Sequence, residues 1–259
     1  MASAFTSITK LAGTRVLVIG GTSGIGFAVA ATALEHGASV IVASSQPTKV
    51  DAATQRLRER YPAEYSARIA GFACDLGNQD TQTKATAKVP LDHIAYTAGD
   101  LAPLHLSLSN LTVPALLQSN NVRFLGALFV AKHAQSYMRE SSASSLTLTS
   151  GTNTKKPFKG WTVQAALGAA IEGAARGMAV DLAPVRVNTV SPGAVFTELV
   201  ENAVVGEQRQ EEALRAMGEA TLVGAVGRAQ DVAEAYVYCM KDGFVDGVEL
   251  GTDGGRLLK

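Results

Sequence analysis

The sequence predicts an α/β fold, a doubly wound parallel sheet in a single domain, on three observations. Short runs rich in Val and Ile alternate with Ala-rich segments of helix length. A glycine-rich turn directly follows the first of those runs. The chain has 259 residues, 47% hydrophobic and 18% charged, enough apolar material for one large core and too much for a disordered chain.

Taken in order, the strands are expected at residues 15–19, 39–43, 67–73, 93–97, 145–149, 186–190 and 247–250. Helices are expected between them at 26–36, 50–60, 78–88, 120–139 and 161–182, with another at 229–241 before the last strand. Each is long enough to carry the chain across to a parallel neighbour. Residues 196–226 break this rhythm with a charged helix around 207–219, read either as a lid over a substrate pocket or as a solvated surface helix. With no repeat or low-complexity linker, residues 1–259 read as one domain.

Charge and cysteine usage narrow the function. Lys plus Arg and Asp plus Glu number 23 each, and the isoelectric point is near 6.9, so no basic field draws the chain to nucleic acid or an anionic membrane. Cys74 and Cys239 form neither a metal knuckle nor a disulfide framework, which fits a reducing, cytoplasmic setting. The longest stretch without charge, 101–122, is broken as a membrane span by Pro103, Pro114, Asn110, Asn120 and Asn121. The histidines at 36, 93, 105 and 133 lack ligand spacing, so no metal is expected.

The turn Gly20-Gly21-Thr22-Ser23-Gly24-Ile25-Gly26 joins the first strand to the first helix. Glycines there allow a tight turn and close approach of backbone to a pyrophosphate, which the unpaired N–H groups of the helix N-terminus attract. The sequence here resembles the short-chain dehydrogenase/reductase family, whose motif reads T-G-x-x-x-G-x-G: Gly20, Gly24 and Gly26 match, and Ile19 replaces the Thr. The resemblance spans nearly the whole chain. Asp75-Leu76 is similar to the family's adenine-contacting pair, and Tyr96-Thr97-Ala98-Gly99 stands where the family has N-N-A-G. Pro192-Gly193-Ala194-Val195-Phe196-Thr197 resembles the segment that holds the nicotinamide carboxamide, and Asp253-Gly254-Gly255 the family's D-G-G. The resemblance implies a Rossmann-type fold, a nicotinamide dinucleotide, a small-molecule substrate, and a homodimer or homotetramer.

The second strand ends in Ala43-Ser44-Ser45-Gln46. A carboxylate there would bind a ribose 2′-OH and repel a 2′-phosphate, so its absence, with hydroxyls at Ser23, Ser44 and Ser45, predicts NADP(H). The expected cofactor set is therefore Gly20, Thr22, Ser23, Gly24, Ile25, Gly26, Ser44, Ser45, Asp75, Leu76, Ala98, Gly99, Arg123, Pro192, Gly193, Val195 and Thr197.

The family's proton chemistry is missing. Its members reduce carbonyls with a Ser and a Y-x-x-x-K pair, the lysine lowering the tyrosine pKa. Alignment through Ala169-Ala170-Ile171-Glu172-Gly173 puts Gln164 at the tyrosine and Gly168 at the lysine. Ser150 and Gly151 compete for the serine register, and Arg123 takes the helix asparagine's place. A narrower similarity is to fungal reductase/Diels-Alderases of bridged prenylated indole alkaloid pathways, which also lack the Tyr and Lys and resemble this chain at Arg123 and Trp161. Those enzymes carry an acid shortly before the Trp, where this chain has Pro157-Phe158-Lys159-Gly160.

Three residues are candidates for the catalytic site. Arg123, between Val122 and Phe124, must meet a partner, the cofactor or the pocket, because an unpaired guanidinium is costly to bury. Trp161, the sole tryptophan, either stacks on a flat substrate or fills the core. Gln164 can orient a carbonyl or amide but cannot act as an acid. The leading expectation is an NADPH-dependent reductase of an iminium-like substrate in alkaloid biosynthesis, able also to template an intramolecular cycloaddition. The alternatives are a redox-inactive nucleotide-binding scaffold or non-redox cyclase, and a carbonyl reductase with Ser150 or one of Lys155, Lys156 and Lys159 as substitute acid.

Overall fold

The computed structural model describes residues 6–76, 90–99, 105–198 and 207–259. In chain order these form β1 (Arg15–Ile19), α1 (Gly24–Glu35), β2 (Ser39–Ser44), α2 (Pro47–Arg60), β3 (Ile69–Ala73) and β4 (His93–Tyr96). There follow α3 (Val113–Asn120), α4 (Gly126–Tyr137), β5 (Ser145–Thr149), α5 (Thr162–Asp181), β6 (Arg186–Pro192) and β7 (Val195–Phe196). The chain ends with α6 (Glu207–Glu219), β8 (Gly227–Arg228), α7 (Ala229–Lys241) and β9 (Glu249–Thr252). The expected helix at 78–88 and residues 199–206 of the expected lid lie outside the described residues.

Seven strands form one sheet in the order β3-β2-β1-β4-β5-β6-β9, every pairing parallel. Strand order reverses between β1 and β4, the switch point at which the carboxyl ends of an open α/β sheet leave a crevice. Alternation along the strands sends alternate residues into two core layers. Val16, Val18, Val40 and Val42 pack on one face with Tyr236 of α7 and the alanines of α1. Leu17, Ile19, Ile94, Leu146 and Leu148 pack on the other with Ala127 and Ala131 of α4 and Ile171 of α5. Among the described residues no helix is long and apolar enough to cross a membrane.

Several expected boundaries shift: α1 begins at Gly24, α2 at Pro47 and β3 at Ile69, and β6 runs on to Pro192. The helix expected at 120–139 is instead α4, Gly126–Tyr137, preceded by a separate α3 that starts at Val113, where Thr112 caps it, accepting the Ala115 N–H at 3.3 Å, and Pro114 falls in the first turn, where a missing N–H does no harm. The last strand begins at Glu249 rather than 247, since Gly247 has a φ of 68°, a left-handed turn conformation.

Candidate active site

The glycine turn is locked against the end of β4. Gly20 has a φ of 83°, and a Cβ there would lie 2.6 Å from the Ala98 nitrogen. A Cβ on Gly26 would strike the Gly20 carbonyl and the Thr97 hydroxyl. Thr97 ties the two segments by donating to the Ile19 carbonyl from its N–H at 2.8 Å and its hydroxyl at 2.9 Å. The α1 N-terminus therefore opens onto the crevice, and the exposed hydroxyl of its N-cap Ser23 makes no capping bond. The Gly24 N–H donates at 2.8 Å to Oε2 of Glu198, so a carboxylate sits at the anion-attracting end of α1. Sequence reasoning had not singled out Glu198. Thr197 lies beside it, its Cβ 3.1 Å from the empty Cβ position of Gly24.

The remaining expected cofactor residues gather along the same edge. Thr22 and Ile25 are half-buried in the glycine turn. Ser44 ends β2 and the exposed Ser45 follows it, and the first turn of α2 carries no acid. Exposed Asp75 and buried Leu76 come after β3, and Ala98 and Gly99 after β4. Pro192 closes β6; Gly193 donates its N–H to the Thr252 carbonyl at 3.0 Å and has no room for a Cβ, which would sit 2.9 Å from the Asp253 Cα. The Thr252-Asp253 turn thus braces Pro192-Gly193 from behind, and Val195 pairs with Gly227 beyond it.

Arg123 reaches this edge through a distortion. Residues Asn121–Leu125 form a π-turn between α3 and α4. The Tyr96 hydroxyl donates to the Val122 carbonyl, so the Gly126 N–H bonds instead to the Asn121 carbonyl, five residues back. Glycine at 126 leaves room for the phenol, which a Cβ would strike. The turn lays the Arg123 guanidinium against Gly99, on which a Cβ would collide with it. The Tyr at the first position of the family's N-N-A-G was the available sign of this arrangement, and sequence reasoning did not use it.

The vacated Tyr and Lys positions and the contested serine register are filled differently. A Cβ at Gly168 would lie 2.6 Å from Cγ2 of Thr154, and one at Gly151 2.6 Å from Oδ1 of Asn153. Gly151 is in extended backbone, φ 175°, so glycine serves space there rather than conformation. The Asn153 carboxamide, which sequence reasoning passed over, stands between the two. Ser150 turns instead toward α5 and donates to Oε1 of Glu172 at 2.6 Å. Gln164 is buried, and its Nε2 donates to the Leu106 carbonyl at 3.2 Å.

The candidate lysine acids are held elsewhere. Lys155 pairs with Glu249 at 2.7 Å, Lys156 donates to the Arg256 carbonyl at 3.2 Å, and Lys159 is exposed. Tyr236 reaches up to Thr149, with 2.5 Å between the hydroxyls, but it is fully buried. Burial pushes its phenol well above the usual range, and the Thr149 hydrogen bond and nearby Arg123 offset that only in part. Half-buried Trp161 precedes α5, its ring meeting that of Phe158 edge-on with centroids 5.2 Å apart. Among the described residues no group of three or more His, Cys, Asp or Glu could hold a metal ion.

A profile described as an SDR-like Rossmann domain matches residues 7–259. A short-chain dehydrogenase/reductase of Gibberella fujikuroi is 39% identical over 267 residues, covering 100% of both chains. The short-chain dehydrogenase/reductase malC of Malbranchea aurantiaca is 39% identical over 257 residues, covering 96% of each chain. The solved structure of the MalC reductase/Diels-Alderase superposes with a TM-score of 0.89 at 37% identity, over 98% of this chain and 100% of that one. A small-chain dehydrogenase in complex with NADPH matches at a TM-score of 0.76 and 28% identity, over 95% of this chain and 100% of that one. With the glycine turn, the switch-point crevice and the D-G-G brace in place, the chain belongs to the short-chain dehydrogenase/reductase family, as a member without the Tyr and Lys of its reduction chemistry.

Proposed function

We propose that this protein is an NADPH-dependent reductase acting on an iminium-like electrophile in natural-product, specifically alkaloid, biosynthesis. One observation carries the reading: the nucleotide cradle is intact, while Gly151 and Gly168 have no space even for a Cβ unless Asn153 and Thr154 move. Gly20 and Gly26 let the turn pack tightly against the end of β4, and the Gly24 N–H already donates to a carboxylate, so the residues present fit the pyrophosphate of NADP(H). Ser23, Ser44 and Ser45 line the 2′-phosphate end, and Asp75, Leu76, Ala98, Gly99, Pro192, Gly193, Val195 and Thr197 hold the rest. The cofactor, when bound, supplies a hydride.

The chain's own part is orientation. An iminium carbon that takes hydride becomes a neutral amine, so no proton has to be delivered and the lost phenol is not missed. Arg123 braces the cofactor side at Gly99, Trp161 offers an aromatic wall, and Gln164 secures the loop at Leu106 that faces α5. The molecule works as a homodimer or homotetramer. The likeness to the MalC reductase/Diels-Alderase supports a second step for substrates whose reduction creates an azadiene, in which the same pocket holds diene and dienophile together.

Deuterium transfer from C4-labelled NADPH to a cyclic iminium tests the reading. Label in the amine is expected; NADPH binding with no transfer to any iminium accepted into the pocket favours a scaffold or non-redox cyclase. Unchanged product ratios with and without protein after chemical reduction remove the cycloaddition step.

A further inference from the structure

We infer that Arg256, in the C-terminal turn Arg256–Leu258, is the positioning residue for Trp161 and sets the shape of the substrate pocket's loop, residues 152–161. Arg256 is 5% exposed. Among the described residues no carboxylate pairs with its guanidinium, whose partners all belong to that loop. Nη1 donates to Oγ1 of Thr152 at 3.2 Å, Nη2 donates to the Lys156 carbonyl at 2.8 Å, and the guanidinium lies 4.5 Å from the centre of the Phe158 ring. Lys156 returns a bond from Nζ to the Arg256 carbonyl at 3.2 Å. The loop is therefore pinned at 152, 156 and 158 by a single residue about a hundred positions away.

The stack continues outward. Phe158 presents its ring to Trp161 at 71°, an edge-on contact of the kind aromatic pairs favour. Phe158 is 52% exposed and Trp161 only half-buried, so core packing does not hold either ring. A guanidinium over the face of one ring, with that ring against the next, supplies the missing restraint. Thr152 is the residue before Asn153, so the same arginine also anchors the turn that fills the Cβ space at Gly151 and Gly168.

The assignment of Arg256 to Trp161 stands on geometry alone; its effect on substrate rests on the reading of Trp161 as a pocket wall. Because Trp161 is the only tryptophan, its fluorescence reports on this contact directly. In the full-length protein, Arg256→Met and Phe158→Leu are each expected to raise acrylamide quenching of Trp161 about twofold, and Arg256→Lys, which keeps the charge but loses the fork, by less. The double variant should add little to Phe158→Leu, since the coupling runs through that ring. NADPH affinity should stay within about twofold while KM for a cyclic iminium probe rises about threefold.

Quenching unchanged in Arg256→Met and Arg256→Lys, with circular dichroism intact, overturns the proposal, and additive quenching in the double variant overturns the route through Phe158. If Arg256→Met does not fold, Arg256→Lys and Phe158→Leu decide the matter alone. Raised quenching with KM unaltered upholds Arg256 as the residue that places Trp161 and instead removes Trp161 from the substrate site.

Discussion

The hydroxyl of Tyr96 donates to the carbonyl of Val122 and so diverts the helix between α3 and α4 into a π-turn that carries Arg123 to Gly99. A tyrosine at the end of β4 thus decides where an arginine 27 positions later along the chain points. Tyr96→Phe removes the donor, and the Val122 carbonyl returns to the Gly126 N–H. NADPH should then bind about fivefold to tenfold more weakly by calorimetry, the scale of one hydrogen bond. Arg123→Ala should match that loss, and the double variant should not exceed it.

Glu198 occupies the N–H of Gly24, where the pyrophosphate of a dinucleotide is expected. Removing it takes away a competitor and a negative charge. Glu198→Ala should tighten both NADPH and NADH about threefold or more in the same titration. Weaker binding would show that the carboxylate supports the cofactor site instead.

Choice between the two nucleotides is expected to lie at Ser45, exposed beyond β2 with no acid in the first turn of α2. Ser45→Asp should weaken NADPH about tenfold while leaving NADH the same or tighter, because a carboxylate repels a 2′-phosphate and accepts from a 2′-OH. Equal losses for the two would place the discriminating contact elsewhere.

Restoring the family's proton chemistry should fail. Gln164→Tyr with Gly168→Lys puts a Cβ 2.6 Å from Thr154 Cγ2, a β-branched side chain with little freedom to turn aside. No gain in ketone reduction is expected. Gly168→Ala alone should lose about 1 kcal/mol in urea unfolding despite alanine's helix preference, and Thr154→Ser should reverse that loss.

Acid sensitivity should centre on His93, buried in β4 with its Nδ1 3.0 Å from the Ser145 hydroxyl. Burial pushes its pKa down from 6.5 to about 4, Asp92 opposing this and Arg186 adding to it. Between those values the unfolded chain takes up a proton that the folded one refuses, so stability is full above pH 6.5 and falls as pH drops toward 4. The loss amounts to roughly 3 kcal/mol. Unfolding of His93→Gln across that range should show a much flatter pH dependence.

Most of the strand starts were legible because parallel strands announce themselves by short branched apolar runs: Arg15–Ile19 and Ser145–Thr149 coincide with the runs read from the chain. Helix starts were harder. Pro114 reads as a breaker in sequence yet lies in the first turn of α3, and nothing local to residues 121–125 announces a π-turn, since its cause is the phenol of Tyr96. The missing Tyr and Lys were plain from Gln164 and Gly168, but what occupies their space was not. Asn153 and Thr154 enter it through a turn that no spacing rule encodes.

Periodicity and short motifs, carried by residues that are neighbours along the chain, were sufficient for the sheet, the glycine cradle and the loss of the proton donor. The site's particular geometry rests on contacts between residues far apart: Gly24 with Glu198 across 174 positions, and Thr152 with Arg256 across 104. Such pairs meet only when the sheet brings its carboxyl edge, the C-terminal turn and the loop before α5 together. Local pattern names neither partner, because the free energy of each contact depends on burial and orientation that the completed fold supplies.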